Sequence, residues 1–405
     1  MNTQNGISQS MIKEAADRLK PVINETHLIY SDIFSQEFSN QIYIKPENLQ
    51  KTGSFKIRGA FNKIAQLNGD NLDKGAVASS AGNHAQGVAL AAQIAGCKAT
   101  IVMPTATPLI KVNATKAYGA EVILHGDCYD EAYKKACEIQ KEMGYTFIHP
   151  FNDYDVIAGQ GTIGVEILNE LPDADYVLVP VGGGGLIAGI AYAIKTINPN
   201  CKVFGVEPEG AMSMKASLDE EAVVKLENIH TIADGVAVKE VGNLTFDIAK
   251  QYVDGIIAVN DYDIMEAFLL LIEKHKIVAE NAGVLSIAAL KNFRVKDKKI
   301  VCVLSGGNID VVTVSAMINK GLSSRGRIFC FSVELPDTPG QLLKISQVLS
   351  DLKANVIKLD HNQFMNLDRF MHVQLQVTVE TNGHDHIQQI IDEFYKIGYQ
   401  VTKVY

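Results

Sequence analysis

The 405-residue sequence contains no CxxC pair, and no histidine is spaced to accompany any of its six cysteines (97, 128, 137, 201, 302 and 330). Zinc frameworks and disulfide staples are therefore not expected, and a reducing cytoplasm is the expected compartment. The opening stretch "MNTQNGISQSMIKEAADRLK" lacks the apolar core of a signal peptide, and no hydrophobic run approaches the length of a membrane span. A basic patch with interleaved aromatics is also missing. The net charge of -9 is spread along the chain, which argues against nucleic acid as a main partner. No low-complexity tract interrupts it. At 47% hydrophobic and 20% charged, the chain reads as a globular protein long enough for two or three domains.

What is there is an alternation. Short apolar runs, "AVASS" (76–80), "KATIVM" (98–103), "AEVILH" (120–125), "YVLVPV" (176–181), "KVFGVE" (202–207), "GIIAV" (255–259) and "KIVCVLS" (299–305), are separated by helical patterns. Near-continuous apolar strands divided by helices predict an α/β unit of parallel sheets covered on both faces. After "NKGLSSRGR" the pattern changes to strand "IFCFSVEL", helix "PGQLLKISQVLSDLK", strand "NVIKLDHN", strand "RFMHVQLQVTVE" (369–380), helix "DHIQQIIDEFYKIG" and strand "YQVTKVY". That β-α-β-β-α-β order predicts a ferredoxin-like α+β module. The expected domains are 1–320, in two lobes with the smaller at roughly 50–150, a linker at 321–327, and 328–405.

Three small-residue turns end predicted strands. "VGGGGLIAG" places Gly182, Gly183, Gly184 and Gly185 before a helix, where bare backbone amides and the helix dipole suit a phosphate. Gly183, Gly185 and Ala188 also satisfy a dinucleotide fingerprint, with Glu207 at the end of the next strand as the ribose acid. An oxidoreductase is the competing reading. It leaves "SSAGNHAQG" (79–87) and "LSGGNID" (304–310) without a task. In the first, Ser80, Gly82, Asn83 and the following amides open a helix and suit a carboxylate, while His84 is either a base or a helix-start cap. In the second, Ser305 offers a hydroxyl at a strand end, and Asn308 suits holding the turn's backbone. Lys56, between Phe55 and Ile57 in "KPENLQKTGSFKIRGAFNKI", completes a kit for pyridoxal phosphate acting on an amino acid. A free lysine has a pKa of about 10.4, so about one in a thousand is a neutral nucleophile near pH 7.4; apolar neighbours reduce that handicap.

The ordered set "SFKIRGA", "SSAGNHAQG", "GQGTIGVEI", "VGGGGLIAG", "TIADGVAV", "AENAG" and "SGGN" resembles the threonine ammonia-lyases (threonine dehydratases), which are fold-type II, tryptophan-synthase-β-like pyridoxal phosphate enzymes. The tail, with "ELPDTPGQLLKI", resembles an ACT regulatory domain. The resemblance implies a two-lobed enzyme in which Lys56 holds the cofactor aldehyde and later takes the Cα proton. It also places Asn83 on the ring hydroxyl, Gly182 to Gly185 with Leu186 on the phosphate, and Ser305 on the pyridine nitrogen. The substrate carboxylate docks on Ser80, Ala81, Gly82, Asn83 and His84.

The implied reaction converts L-threonine to 2-oxobutanoate and ammonia, with L-serine as a slower substrate. Serine racemase or serine dehydratase of the same fold is the alternative. Racemases resemble "SSAGNH" but carry a serine where Ala81 stands, and alanine transfers no proton. They also hold a divalent cation, for which Glu207 and Ala211 match but Ser213 replaces an aspartate, so no metal is expected. Glu280, in "AENAG", lies near the cofactor by the same resemblance. For the tail, the resemblance implies an amino-acid effector, isoleucine or valine, bound near Asn355 and the "PDTPG" loop (336–340), in a homo-oligomer, dimer or tetramer.

Overall fold

The structure is a computed structural model that describes residues 6–362 and 372–405. It divides into two compact units, 1–309 and 310–405.

The first unit is built on two sheets. The smaller runs, in spatial order, Glu121–Leu124, Ala99–Met103, Ala76–Ser79 and Thr146–Phe147, all parallel. The larger runs Ile29–Tyr30, Gln41–Pro46, Lys299–Leu304, Tyr176–Pro180, Lys202–Pro208 and Gly255–Val259; only the Ile29–Tyr30 pairing is antiparallel. All seven expected runs form strands. The strand Gln41–Pro46 escaped the apolar pattern because its Lys45 is a buried charge, 1% exposed, paired with Glu166.

Burial on both faces explains the apolar runs. Val177, Val179, Val301 and Val303 share one core with Ile187, Ile190 and Ile194 of the helix Gly185–Ile197. In the smaller sheet, Ala76, Ala78 and Ile101 pack with Val88 and Ala92 of the helix Asn83–Ala95 and with Ile57 and Ile64 of the helix Lys56–Ile64. The helix Tyr154–Glu170 comes so near Lys56–Ile64 that a Cβ on Gly159 would lie 2.6 Å from the Arg58 carbonyl oxygen. Strands Ala76–Ser79, Tyr176–Pro180 and Lys299–Leu304 all end, at their carboxyl ends, in the small-residue turns. In open α/β sheets such ends form the ligand crevice.

The second unit begins with the helix Val311–Ser324, so residues 321–324 of the expected linker are its last turn. An antiparallel sheet follows in the order Asn355–Asn362, His372–Glu380, Ile328–Pro336, Val401–Lys403, with helices Gln341–Asp351 and His384–Lys396. Phe329, Phe331, Val333 and Leu335, alternate residues of one strand, meet Ile345, Leu349, Ile390 and Phe394 of the two helices. This is the ferredoxin-like α+β arrangement. Residues 369–371 of the expected third strand lie outside the described residues. Among the described residues no helix is long and apolar enough to cross a membrane.

Candidate active site

Lys56 is the first residue of its helix, and the helix Asn83–Ala95 is packed against its backbone at Gly87. Its side chain is partly exposed, yet its ammonium lies in low-dielectric surroundings. Nζ donates to the Pro150 carbonyl at 3.0 Å and sits 5.1 Å from the Phe55 ring centroid. Burial pulls its pKa down to about 8, against the opposing pull of the Glu280 carboxylate. About one amine in five is then neutral at pH 7.4, against one in a thousand for a free lysine.

Asn83 and Ser305 lie on the same side of the unit as Lys56. The backbone N–H of Phe55 donates to the Ser305 carbonyl at 3.2 Å, and Ser54 bridges to Gly306, so the two segments are stitched side by side. Asn83 Nδ2 donates to Glu280 Oε1 at 2.6 Å. Asn308 Nδ2 donates to Asn83 Oδ1 at 2.8 Å and to the Thr52 carbonyl at 2.6 Å. Gly306 leaves the room for this; a Cβ there would lie 3.0 Å from Glu280 Cδ and 3.1 Å from Asn83 Nδ2. Burial, helped by Asp234, lifts the Glu280 carboxyl to about 7. Asn308 therefore holds a turn's backbone, but that of the Thr52–Gly53 turn in place of its own.

In the Ser80–His84 turn, Ser80, Ala81, Gly82 and Asn83 are partly exposed and His84 is buried. Gly82 precedes the helix Asn83–Ala95 without a side-chain cap, and its N–H donates to Ser80 Oγ at 3.2 Å. His84 does not cap the helix. Its Nε2 bonds the Ile148 carbonyl at 2.8 Å, and burial together with the Lys56 charge drives its pKa down to about 3. Near neutrality the ring is therefore uncharged, with Nε2 donating to that carbonyl and Nδ1 without a side-chain or backbone partner.

The four-glycine turn leads into Gly185–Ile197, whose N-terminus also lacks a side-chain cap; Gly184 has φ +90°, in the left-handed region. Its glycines are also demanded by packing. A Cβ on Gly185 would lie 2.9 Å from Phe151, one on Gly182 3.0 Å from the Val236 backbone, and one on Gly184 2.7 Å from Met214. Leu186 is buried in the large-sheet core.

The family model for pyridoxal-phosphate dependent enzymes matches residues 19–306. The chain is 49% identical, over 394 residues, to an L-threonine ammonia-lyase of Thermotoga maritima, covering 97% of this chain and 98% of that one. The chain belongs to the pyridoxal-phosphate dependent threonine ammonia-lyases. Among solved structures, the processed form of threonine deaminase isoform 2 from Solanum lycopersicum superposes with TM-score 0.73 at 41% identity, covering 78% of this chain and 95% of that one. Maize serine racemase superposes with TM-score 0.74 at 34% identity, covering 79% and 99%.

The residues present fit that cofactor. A threonine ammonia-lyase needs an amine that is neutral in useful amounts, and Lys56 is one. It needs uncapped amides for a phosphate, and the Gly182–Leu186 turn offers a helix start with no competing side chain. The nicotinamide reading fails on Glu207. Its carboxylate accepts the backbone N–H groups of Met214 at 2.8 Å and Lys215 at 2.9 Å, capping the helix Ser213–Asp219. It is fully buried and, through burial, raised to about 7. Both oxygens face one helix end and the side chain is closed off from solvent, so a ribose hydroxyl has no approach to it. Among the described residues no group of three or more His, Cys, Asp or Glu is placed to hold a metal ion.

Sequence reasoning missed the segment His149–Phe151. His149 Nδ1 accepts the backbone N–H groups of Asn152 at 2.8 Å and Phe151 at 3.3 Å, and burial lowers its pKa to about 4. This neutral ring shapes the turn that presents the Pro150 carbonyl to Lys56 and Phe151 to the glycines. The only signal available was the run "HPFND", which carries no spacing rule of its own.

Proposed function

We propose that the chain converts L-threonine to 2-oxobutanoate and ammonia by β-elimination, and L-serine to pyruvate more slowly. A pocket that accepts the threonine methyl gives up only about 1–3 kcal/mol when that methyl is missing. The observation that carries this reading is the Lys56 amine, brought to a pKa of about 8 beside Asn83 and Ser305. Bound pyridoxal phosphate supplies the electron sink that makes an amino acid's Cα proton removable. In this reading the Gly182–Leu186 amides hold its phosphate, Asn83 donates to its ring hydroxyl and Ser305 meets its ring nitrogen. Amides of the Ser80–His84 turn take the substrate carboxylate, orienting the Cα hydrogen toward Lys56, and Lys56 accepts that proton as general base.

Ala81 bears on the racemase alternative. It is partly exposed on the carboxylate turn and has no group able to return a proton to Cα. Elimination without racemisation is expected. The tail, in the same reading, binds an amino-acid effector, isoleucine or valine, in a homo-oligomer, dimer or tetramer; its ferredoxin-like fold supports this. The test is keto-acid release by the purified full chain from L-threonine and L-serine, each with and without isoleucine or valine, alongside chiral analysis of residual serine. Keto acid faster from threonine, with no D-serine, is the expected result. D-Serine in place of keto acid would give the function to the racemase, and rates indifferent to both effectors would remove the regulatory part.

A further inference from the structure

Asn83 sits in the middle of a chain of hydrogen bonds whose direction the structure fixes. The Thr52 carbonyl accepts only, so the end of Asn308 that faces it at 2.6 Å is the NH2. That same NH2 reaches Asn83 at 2.8 Å, so Asn83 must turn its oxygen toward Asn308. Its own NH2 is then left for Glu280 Oε1, 2.6 Å away. One N–H goes to Glu280, and the other is left as a donor of settled direction. An asparagine free to flip would present either a donor or an acceptor to a ligand; this one has no choice.

The start of the chain is held under strain. Thr52 is a buried, β-branched residue at φ +63°, ψ 9°, a left-handed conformation that such residues rarely adopt. Gly53 follows at φ +70°, and a Cβ on it would collide with the Asn308 carboxamide. Its carbonyl accepts the Gly307 N–H at 2.8 Å. Backbone strain of this kind persists where its surroundings over-determine it, and it clusters at ligand sites. Here it aims one carbonyl at Asn308. At the other end, Gly306 keeps the space that lets Glu280 and Asn83 meet.

We infer that Asn308 and Glu280 are positioning residues which, acting through Asn83, fix a hydrogen-bond donor and a carboxyl opposite the ring hydroxyl of bound pyridoxal phosphate. The inference rests on the reading that Asn83 faces that hydroxyl. Asn308 supplies orientation. Glu280 supplies charge, and its carboxyl, lifted to about 7 by burial and by Asp234 against the opposing pull of Asn83, Lys111 and Lys56, changes charge within the working range. Lys56 feels the same carboxylate.

The experiment is a pH titration of the visible absorbance band of the cofactor-loaded full chain, compared with Asn83→Ala, Asn308→Asp and Glu280→Gln. Asn308→Asp substitutes an acceptor for the donor, so Asn83 must reverse its amide to satisfy it. Asn83→Ala is expected to move the titration midpoint by about one unit, the tenfold change that follows loss of a hydrogen bond to a charged group. Asn308→Asp should move it as far, and the Asn83→Ala/Asn308→Asp pair no further. Glu280→Gln, which keeps an acceptor but cannot ionise, should remove the component of the titration near neutrality. If Asn83→Ala leaves the midpoint in place, the reading of Asn83 itself is wrong and the inference falls with it. If Asn83→Ala shifts the midpoint but Asn308→Asp does not, Asn83 stands and the relay is overturned. Should Asn308→Asp fail to fold, Glu280→Gln decides alone: an unchanged profile near neutrality defeats the role given to the carboxyl.

Discussion

Lys56 and Arg58 stand two residues apart on one helix, both in low-dielectric surroundings, and their cations meet opposite fates. Two residues turn a helix by about 200°, so the side chains leave on opposite faces. Lys56 finds a single neutral acceptor, the Pro150 carbonyl. Arg58, fully buried, finds two carboxylates: both oxygens of Glu47 at 2.8 Å, and Glu166 at 2.5 and 2.9 Å. Lys45 joins the cluster through Glu166 at 2.7 Å. Burial works to lower both pKa values. For Lys56 it wins; for Arg58, Glu47 and Glu166 outweigh it and push the guanidinium further above its ordinary value. Burial alone therefore does not make a cation reactive. The partners decide, and this helix holds a reactive amine on one face and a fixed structural charge on the other.

The comparison breaks most easily at Lys56. Lys56→Arg keeps the positive charge but removes a group able to lose its proton, and keto-acid release from L-threonine should fall by about 10³-fold or more. Circular dichroism should show an unchanged fold, and activity within a few-fold of the unsubstituted chain would end the assignment. Arg58→Met tests the other face. It strands Glu47 and Glu166 without their main counter-charge, and urea unfolding should report a loss of about 3–5 kcal/mol. Adding Glu47→Gln should recover part of it, because the stranded carboxylate is then gone.

A smaller effect sharpens the contrast without altering either residue. Capture of pyridoxal phosphate by the stripped chain needs the neutral amine. With a pKa of about 8, Lys56 is mostly protonated below that pH, so the rate should fall about tenfold per unit below it and level off above. A rate still climbing toward the ordinary lysine value of 10.5 would show that burial does not act on this amine. Last, Glu280→Gln removes the carboxylate that supports the ammonium, so the capture midpoint should move to lower pH, by less than burial itself has moved it.

How much of this was legible in the sequence depends on where each partner lies. The strands Ala76–Ser79, Tyr176–Pro180 and Lys299–Leu304 were plain because both faces of each are covered, which leaves unbroken apolar runs. The turns that follow them were plain because only small residues fit there. Lys56 was flagged by its apolar neighbours. Its acceptor, Pro150, lies 94 residues away and carries no motif. His84 looked like catalytic equipment because its neighbours are; only the Ile148 carbonyl, 64 residues distant, shows it to be a fastener. Glu207 matched a nucleotide rule by position while its oxygens close a helix seven residues on. Arg58 gave no sign at all, since Glu47 and Glu166 come from two other segments of the chain.

In the chain stripped of cofactor the Lys56 amine rests on a backbone carbonyl, and this has a consequence for inhibitors that compete with cofactor capture. A main-chain oxygen is left in place by any side-chain replacement at its own position, so resistance to an electrophile aimed at Lys56 is not available by deleting its docking point. Such a compound competes against one uncharged hydrogen bond and the pull of the Glu280 carboxylate. It meets an amine that is already substantially unprotonated, and a limiting dose should mark this lysine ahead of the chain's solvent-exposed ones.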